Sequence, residues 1–419
     1  MLISENGSRK VSVILSLIFA GEAIFLLPFV LARIFRPTLL QVFEISNLEL
    51  GTAFSVYGLV AMASYFFGGP LADKFSARTL MSFALWGTAL GGLILALSPS
   101  FTVLIILYGY WGFTTIFLFW AAMIKATRLW GGDGYQGRSF GFLEGGRGFT
   151  AALIGTITLV IFAYLVGEPS DIGLIHERNS SFSMVILVTT AITALAGLVV
   201  WKFIPDTVNE DKKRPNPLSI NKVLEVIKMP AVWMQGVIII CAYVGYKATD
   251  DFSLYANQVL GFNEVGAAGV GAAALWMRPL FALLAGFLAD RHSGIKVINY
   301  GFVFILFSSL LIYFGFLEPL IFTTLVILTS TLIGVYGIRG IYFALMPESG
   351  VPLVATGTAV GIMSVLGFTP DVFMSPLMGY LLDTYPGSTG HQYVFLVLAC
   401  FAGIGFVVSL AFKRLIDNR

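Results

Sequence analysis

Apolar stretches of about 20 residues recur along the whole chain, and as helices each would cross a hydrocarbon layer about 30 Å thick. Twelve are predicted, at 11–36, 48–72, 79–98, 101–127, 139–165, 182–204, 231–258, 263–289, 297–316, 319–346, 353–382 and 391–412. Of the 419 residues, 57% are hydrophobic and only 11% charged, which leaves too little polar surface to clothe a soluble globule. The prediction is an all-α membrane protein. Gly and Pro inside the stretches do not break it, because neighbouring helices satisfy the freed backbone groups. The first stretch is too long for a cleaved leader, carries Glu22 midway and lacks a small-residue cleavage pattern, so it is read as helix one.

Basic residues set the expected orientation. Placing the N-terminus inside puts Lys74, Arg78, Arg128, Arg138, Lys202, Lys212, Lys213, Arg214, Lys228, Arg291, Lys296, Lys413 and Arg414 on the cytoplasmic face. Arg36 and Arg178 fall on the other. That asymmetry obeys the positive-inside rule and puts both termini in the cytoplasm. The net charge of +2 says little about partners, and nothing suggests nucleic acid. The two cysteines, Cys241 and Cys400, lie in apolar stretches, so neither a disulfide framework nor a metal site is expected. His176, His292 and His391 are all assigned to loops.

Two sequence elements recur at a spacing of about 220 residues. "GGPLADKFSAR" (68–78) and "AGFLADRHSGIK" (285–296) align Gly69 with Gly286, Leu71 with Leu288, Ala72 with Ala289 and Asp73 with Asp290. Gly137 and Gly141 after helix four correspond to Gly357 and Gly361 after helix ten. Matches in the same order argue for two parallel repeats. The longest polar interruption, "PDTVNEDKKRPNPLSINKVLEVIK" from Pro205, has the charge run and prolines of a linker. The expected organisation is therefore a six-helix bundle over 1–204, a cytoplasmic linker over 205–230 and a second bundle over 231–419.

The repeated loop resembles the signature of the major facilitator superfamily, roughly G-x-L-x-D-[RK]-x-G-[RK]. The first copy carries Gly69, Leu71, Asp73, Lys74 and Arg78, with Ser76 where the family has Gly; the second carries Gly286, Leu288, Asp290, Arg291, Gly294 and Lys296. The resemblance implies twelve helices in two pseudo-symmetric bundles, with helices one, four, seven and ten around a central cavity and three, six, nine and twelve at the periphery. It also implies that Gly69, Asp73, Lys74, Arg78, Gly286, Asp290 and Arg291 form conformational latches. Physically, Gly permits close helix contact, Asp accepts hydrogen bonds at a helix end and the cations anchor the loop at the interface.

An ionisable side chain deep in a bilayer costs on the order of 3 kcal/mol unless it faces a cavity or a partner. The embedded set is Glu22, Arg33, Lys125, Glu144, Arg147, Lys247, Asp250, Asp251, Arg278, Arg339 and Asp371, and helices three, six, nine and twelve hold none. Glu144 with Arg147, and Lys247 with Asp250 or Asp251, have the spacing of same-helix pairs. Arg33, Asp250 and Asp251 are expected near the outer interface, where water reaches them. Glu22, Arg278, Arg339 and Asp371 have no same-helix partner. With no histidine in the spans, a proton relay would use Glu22, Asp371 or Glu144. Pro279 and Pro370 are expected to bend their helices beside the cavity.

These residues predict a secondary transporter of a small organic anion working by alternating access, by proton symport or anion exchange. Arg147, Lys247, Arg278, Arg339 and Lys125 are the candidate anion ligands, with Trp111 and Tyr246 as aromatic contacts. "YKATDDFSLYA" from Tyr246 loosely resembles helix seven of the organophosphate and organic-anion antiporters, which also carry an arginine in helix one where this chain has Phe29 or Val30. Proton-driven uptake of a neutral sugar-like solute is the alternative, and a membrane sensor that binds without transporting is a third reading. "GGDGYQGRS" (131–139) mimics a phosphate-binding loop but joins two membrane helices, so no nucleotide is expected there. No nucleophile, triad or metal cluster suggests an enzyme. The expected partners are the lipid bilayer, the substrate and protons or a counter-anion; no cofactor is expected, and the working unit is expected to be a monomer.

Overall fold

The computed structural model describes residues 7–131, 136–166, 174–206, 226–315, 320–346, 348–351 and 356–418, and the described elements are all helical. The membrane helices of the first half are α1 (Val11–Ile34), α2 (Asn47–Lys74), α3 (Ala77–Leu95), α4 (Phe101–Gly131), α5 (Ser139–Val166) and α6 (Asn179–Phe203). The second half comprises α7 (Pro230–Gln258), α8 (Glu264–Arg291), α9 (Gly294–Tyr313), α10 (Ile321–Leu345), α11 (Gly361–Thr384) and α12 (Ser388–Asp417). Eleven of them are long and apolar enough to span a membrane on their described residues, and the 28-residue α2 completes the twelve.

Local chemistry sets the helix starts. Ser46 and Glu49 form a reciprocal capping box at α2, with the Glu49 N–H donating to the Ser46 hydroxyl at 3.1 Å and the Ser46 N–H to the Glu49 carboxylate at 2.8 Å. Asn263 caps α8 by accepting the Gly266 N–H at 2.8 Å. α1 widens into a π stretch over Leu26–Val30, around Pro28, and α4 does the same over Phe113–Trp120. Such stretches shift the helical register and re-aim the side chains beyond them. α7 tightens to 3₁₀ geometry at Thr249–Asp251. α11 is interrupted after Gly367 and restarts at Pro370, as expected for a residue that cannot donate a backbone N–H. α8 instead runs as one continuous helix through Pro279.

Buried apolar side chains form two clusters, one drawn almost wholly from residues 13–204 and the other from 226–412. Across the halves, α2 packs along α11 and α5 along α8. Hydrogen bonds from one half to the other gather at the end of the bundle remote from the chain termini. There Thr38 donates to Glu264 at 2.7 Å, the Asn47 and Leu48 N–H groups donate to Asp383 at 3.1 and 2.7 Å, and Ser253 donates to the Arg33 carbonyl at 2.8 Å. The far end is sealed.

The seal needs backbones in contact. A Cβ on Gly51 would strike the Ser375 carbonyl, and one on Gly379 the Asn47 carbonyl. Gly379→Val is therefore expected to weaken the sealed state. Protease or thiol-reagent access at the far end should rise, while a variant at Gly403 of α12, where an added Cβ meets nothing within 4 Å, should leave that access unchanged.

Candidate functional site

A central cavity of about 690 Å³, counting the space at its mouth, lies between the halves. Helical periodicity aims its lining inward. α1 contributes Glu22, Phe25, Phe29 and Arg33, α2 contributes Tyr57, Ala61 and Tyr65, and α7 contributes Tyr243, Tyr246 and Lys247. Val30 of α1, Ile116 and Trp120 of α4, Arg147 of α5, Arg278 of α8 and Arg339 of α10 complete it, with Phe368 and Asp371 presented at the break within α11.

Two ion-pair clusters flank the cavity. In the first, Arg278 of the second half reaches Glu22 at 3.2 Å and Glu144 at 3.5 Å, while Arg147 lies 3.4 Å from Glu22 and donates to Glu144 and to the Gly21 carbonyl. Two cations and two carboxylates close it. In the second, Arg33 Nε donates to Asp250 at 2.6 Å, and Lys247 sits 3.2 Å from Asp250 and 3.6 Å from Asp371. The Tyr243 hydroxyl donates to both Asp371 oxygens, at 3.1 and 3.2 Å. The Lys247 ammonium also lies over the Phe29 and Phe54 rings, 4.8 and 4.9 Å from their centroids.

Arg339 stands apart. Its guanidinium lies 3.9 Å from the Tyr246 ring centroid and 5.6 Å from that of Tyr243. Among the described residues no carboxylate comes within ion-pair distance of it, and its buried Nη1 has no hydrogen-bond partner. The cavity thus sets five lining cations against the four carboxylates that pair with them, and the uncompensated charge is on Arg339.

The remaining sequence candidates divide. Glu22, Arg147, Tyr246, Lys247, Arg278, Arg339 and Asp371 all line the cavity, and Glu144 stands half-exposed beside it. Trp111 does not. It is fully buried between α3 and α4 with its indole N–H donating to the Thr88 carbonyl at 3.1 Å. Trp120, at the end of the π stretch that shifts the register of α4, takes the cavity position instead. Lys125 donates to the Ala72 carbonyl at 2.7 Å, tying α4 to the last turn of α2 rather than facing the cavity.

Further positions depart from expectation. Arg33, Asp250 and Asp251, expected at a wet interface, are buried, as is Arg36, which donates to Asn47. Burial is tolerated because each finds a partner, Arg33 with Asp250 and Asp251 with His391. His391 is not in a loop. Gly387, with φ of 77°, turns the chain so that α12 begins at Ser388, and His391 Nδ1 lies 2.7 Å from Asp251 and Nε2 3.0 Å from Gln258 Oε1. Of the latch residues, Arg78 pairs with Asp206 at 2.6 Å and lies over Trp201, while Lys74, Asp290 and Arg291 are exposed. The side chains of Gly69, Asp73, Gly137, Arg138 and Arg178, and most of the linker over 205–230, lie outside the described residues.

A family model described as Major Facilitator Superfamily matches residues 11–370. The chain belongs to the major facilitator superfamily. It is 27% identical to the inner membrane protein YqcE of Escherichia coli K12 over 98% of this chain and 96% of that one. It is 26% identical to inner membrane protein YihN of the same strain, over 96% and 95%. Among solved structures it is similar to a bacterial homolog of the human lysosomal transporter Spinster, in an inward-facing and unoccupied conformation, with a TM-score of 0.78 at 15% identity and 99% of both chains covered. The nucleoside transporter NupG, as an Asp-to-Ala point mutant, matches with a TM-score of 0.71 at 17% identity, over 97% of this chain and 99% of that one. Superfamily membership makes the chain an integral membrane protein with the fold of transporters, not of enzymes.

Proposed function

We propose that this superfamily member is a secondary transporter of a small organic anion, working by alternating access with proton symport or anion exchange. The observation that carries the proposal is Arg339. An arginine facing a central cavity with no carboxylate in reach offers a fork-shaped pair of donors that suits a carboxylate or phosphate. Sealing at one end only gives the asymmetry that alternating access needs. The expected setting is a bacterial inner membrane with both termini cytoplasmic, which makes the open mouth the cytoplasmic one. The exposed Asp290 and Arg291 would engage as a latch when that mouth closes.

Arg278, held by Glu22 and Glu144, serves this reading as a strut between the halves, and Arg147, held by the same two carboxylates, as a brace within the first half, rather than as anion ligands. Asp371 is the coupling candidate, because protonating it would release Lys247 from one of its two carboxylate contacts. Uptake by Asp371→Asn is expected to lose its dependence on a proton gradient. Gradient-driven accumulation by that variant would favour pure exchange.

Counterflow in proteoliposomes against carboxylated, phosphorylated and neutral solutes tests the whole reading. Movement of a neutral solute that no anion displaces would transfer the assignment to neutral-solute symport, which the aromatic cavity wall also suits. Ligand binding without movement of any solute would point to a sensor.

A further inference from the structure

Charge pairing around the cavity carries a sharper statement, which rests on the anion-carrier reading. We infer that the site is built for a substrate with exactly one negative charge on a ring-shaped body, and that Arg339 and Asp371 together set that charge. Arg33, Lys247, Arg147 and Arg278 each lie within 3.6 Å of a carboxylate, and those carboxylates are Asp250, Asp371, Glu22 and Glu144. Four cations and four acids therefore cancel, and Arg339 supplies a surplus of one.

In a cavity walled by hydrocarbon, an unbalanced charge is poorly screened, so the occupant that restores neutrality is favoured over its neighbours in charge. A neutral occupant leaves Arg339 uncompensated. A dianion leaves a negative charge with no cation to meet it unless one of the existing pairs opens. The body of the substrate is addressed by a different set of atoms. Phe25 and Trp120 meet edge to face at 6.2 Å, and Tyr65 stacks on Phe368 at 6.2 Å, all four lining the cavity. Arg147 lies 5.5 and 5.6 Å from the Phe25 and Trp120 centroids and Tyr65 and Phe368 cover one face of each other, so a sugar or aryl ring would pack on the remaining faces and edges. The Trp120 indole N–H and the Tyr65 hydroxyl have no hydrogen-bond partner among the described residues and remain available to a polar ring substituent.

The arithmetic makes two opposite predictions for two single variants. Arg339→Gln removes the surplus, so the preferred occupant becomes neutral. Asp371→Asn removes a carboxylate and leaves a surplus of two, so the preference moves toward a dianion. A purely structural role for either residue would lower all affinities together and would not reorder them.

The experiment measures binding to the full-length protein in nanodiscs at pH 8, where a phosphate monoester with a second pKa of about 6 is a dianion. Two series of matched body are used: glucose, glucuronate and glucose 6-phosphate; and benzyl alcohol, benzoate and phenyl phosphate. In at least one series the monoanion is expected to bind at least about tenfold more tightly than both companions. Arg339→Gln should then bind the neutral member most tightly, and Asp371→Asn should raise the dianion relative to the monoanion by at least about tenfold. Arg339→Lys, which keeps the charge, should keep the wild-type order and covers the case in which the Gln variant does not fold.

A dianion preferred by the wild type, or an order unchanged in both variants, overturns the inference. So does failure of all six probes to bind. In those cases counterflow of some other organic anion would leave the transporter proposal standing. A neutral probe bound tightest by the wild type and equally by Arg339→Gln would end both.

Discussion

Arg339→Gln is expected to weaken binding of a carboxylate or phosphate substrate by at least about tenfold, while thermal stability in detergent changes little. Hydrogen bonds to a charged group contribute about 1.5–3 kcal/mol each, so losing even one spans roughly one to two orders of magnitude in affinity. Stability should hold because Arg339 gives up ring contacts but strands no carboxylate. Arg278→Gln should behave in the reverse way. It takes a buried cation from Glu22 and Glu144, and breaking a buried pair costs on the order of 3 kcal/mol because a charge is left behind. A large drop in melting temperature with modest change in affinity is the expected signature there. Isothermal titration with a transported anion, paired with melting curves for both variants, checks the contrast. Equal affinity losses in the two variants would return Arg278 to the list of ligands.

The arrangement of the helices was legible because a bilayer imposes its own ruler. A stretch of about 20 apolar residues has one physical explanation, and the predicted spans coincide with the helices to within several residues. The start of α12 was misjudged for the opposite reason. Its first turn, Ser388 to His391, is polar and reads as loop, and the burial of His391 against Asp251 depends on α7, which lies over a hundred residues away in sequence. Likewise Pro279 and Pro370 look alike in sequence, yet only Pro370 interrupts its helix.

Within the site, the sequence located embedded charges but not their partners. Depth alone made Arg147, Arg278 and Arg339 look equivalent, and only tertiary pairing separates the first two from the third. One signal went unused. Glu22, Phe25, Phe29 and Arg33 fall at i, i+3, i+7 and i+11, and Tyr243, Tyr246, Lys247 and Asp250 at i, i+3, i+4 and i+7. Each set is one helical stripe. Those stripes bring Arg33 off the interface and into the cavity wall, one turn beyond the Phe29 and Val30 positions, with Asp250 paired to it.

Breaking Arg33–Asp250 is expected to open the far end. This pair joins α1 to α7 at 2.6 Å, both side chains are at most 5% exposed, and it sits between the cavity and the seal. Arg33 also donates to the Tyr246 hydroxyl at 2.9 Å, so the seal and the wall beside Arg339 share a residue. Removing one partner of such a pair costs about 3–5 kcal/mol, and the loss falls only on the conformation in which the pair is made. A shift of that size changes the ratio of two states by more than about a hundredfold, enough to invert a modest preference. Spin labels at Gln41 and Thr389, exposed on opposite halves at the far end, would read it in a background with Cys400 replaced by Ser. Arg33→Met and Asp250→Asn should each add a longer distance component. The double variant Arg33→Met with Asp250→Leu should show less of it than either single change, because no buried charge is stranded between the halves and Lys247 keeps Asp371. Unchanged distances in both single variants would falsify the role of this pair as the gate and leave the seal to Asn47, Leu48 and Asp383, whose bonds to one another do not involve it.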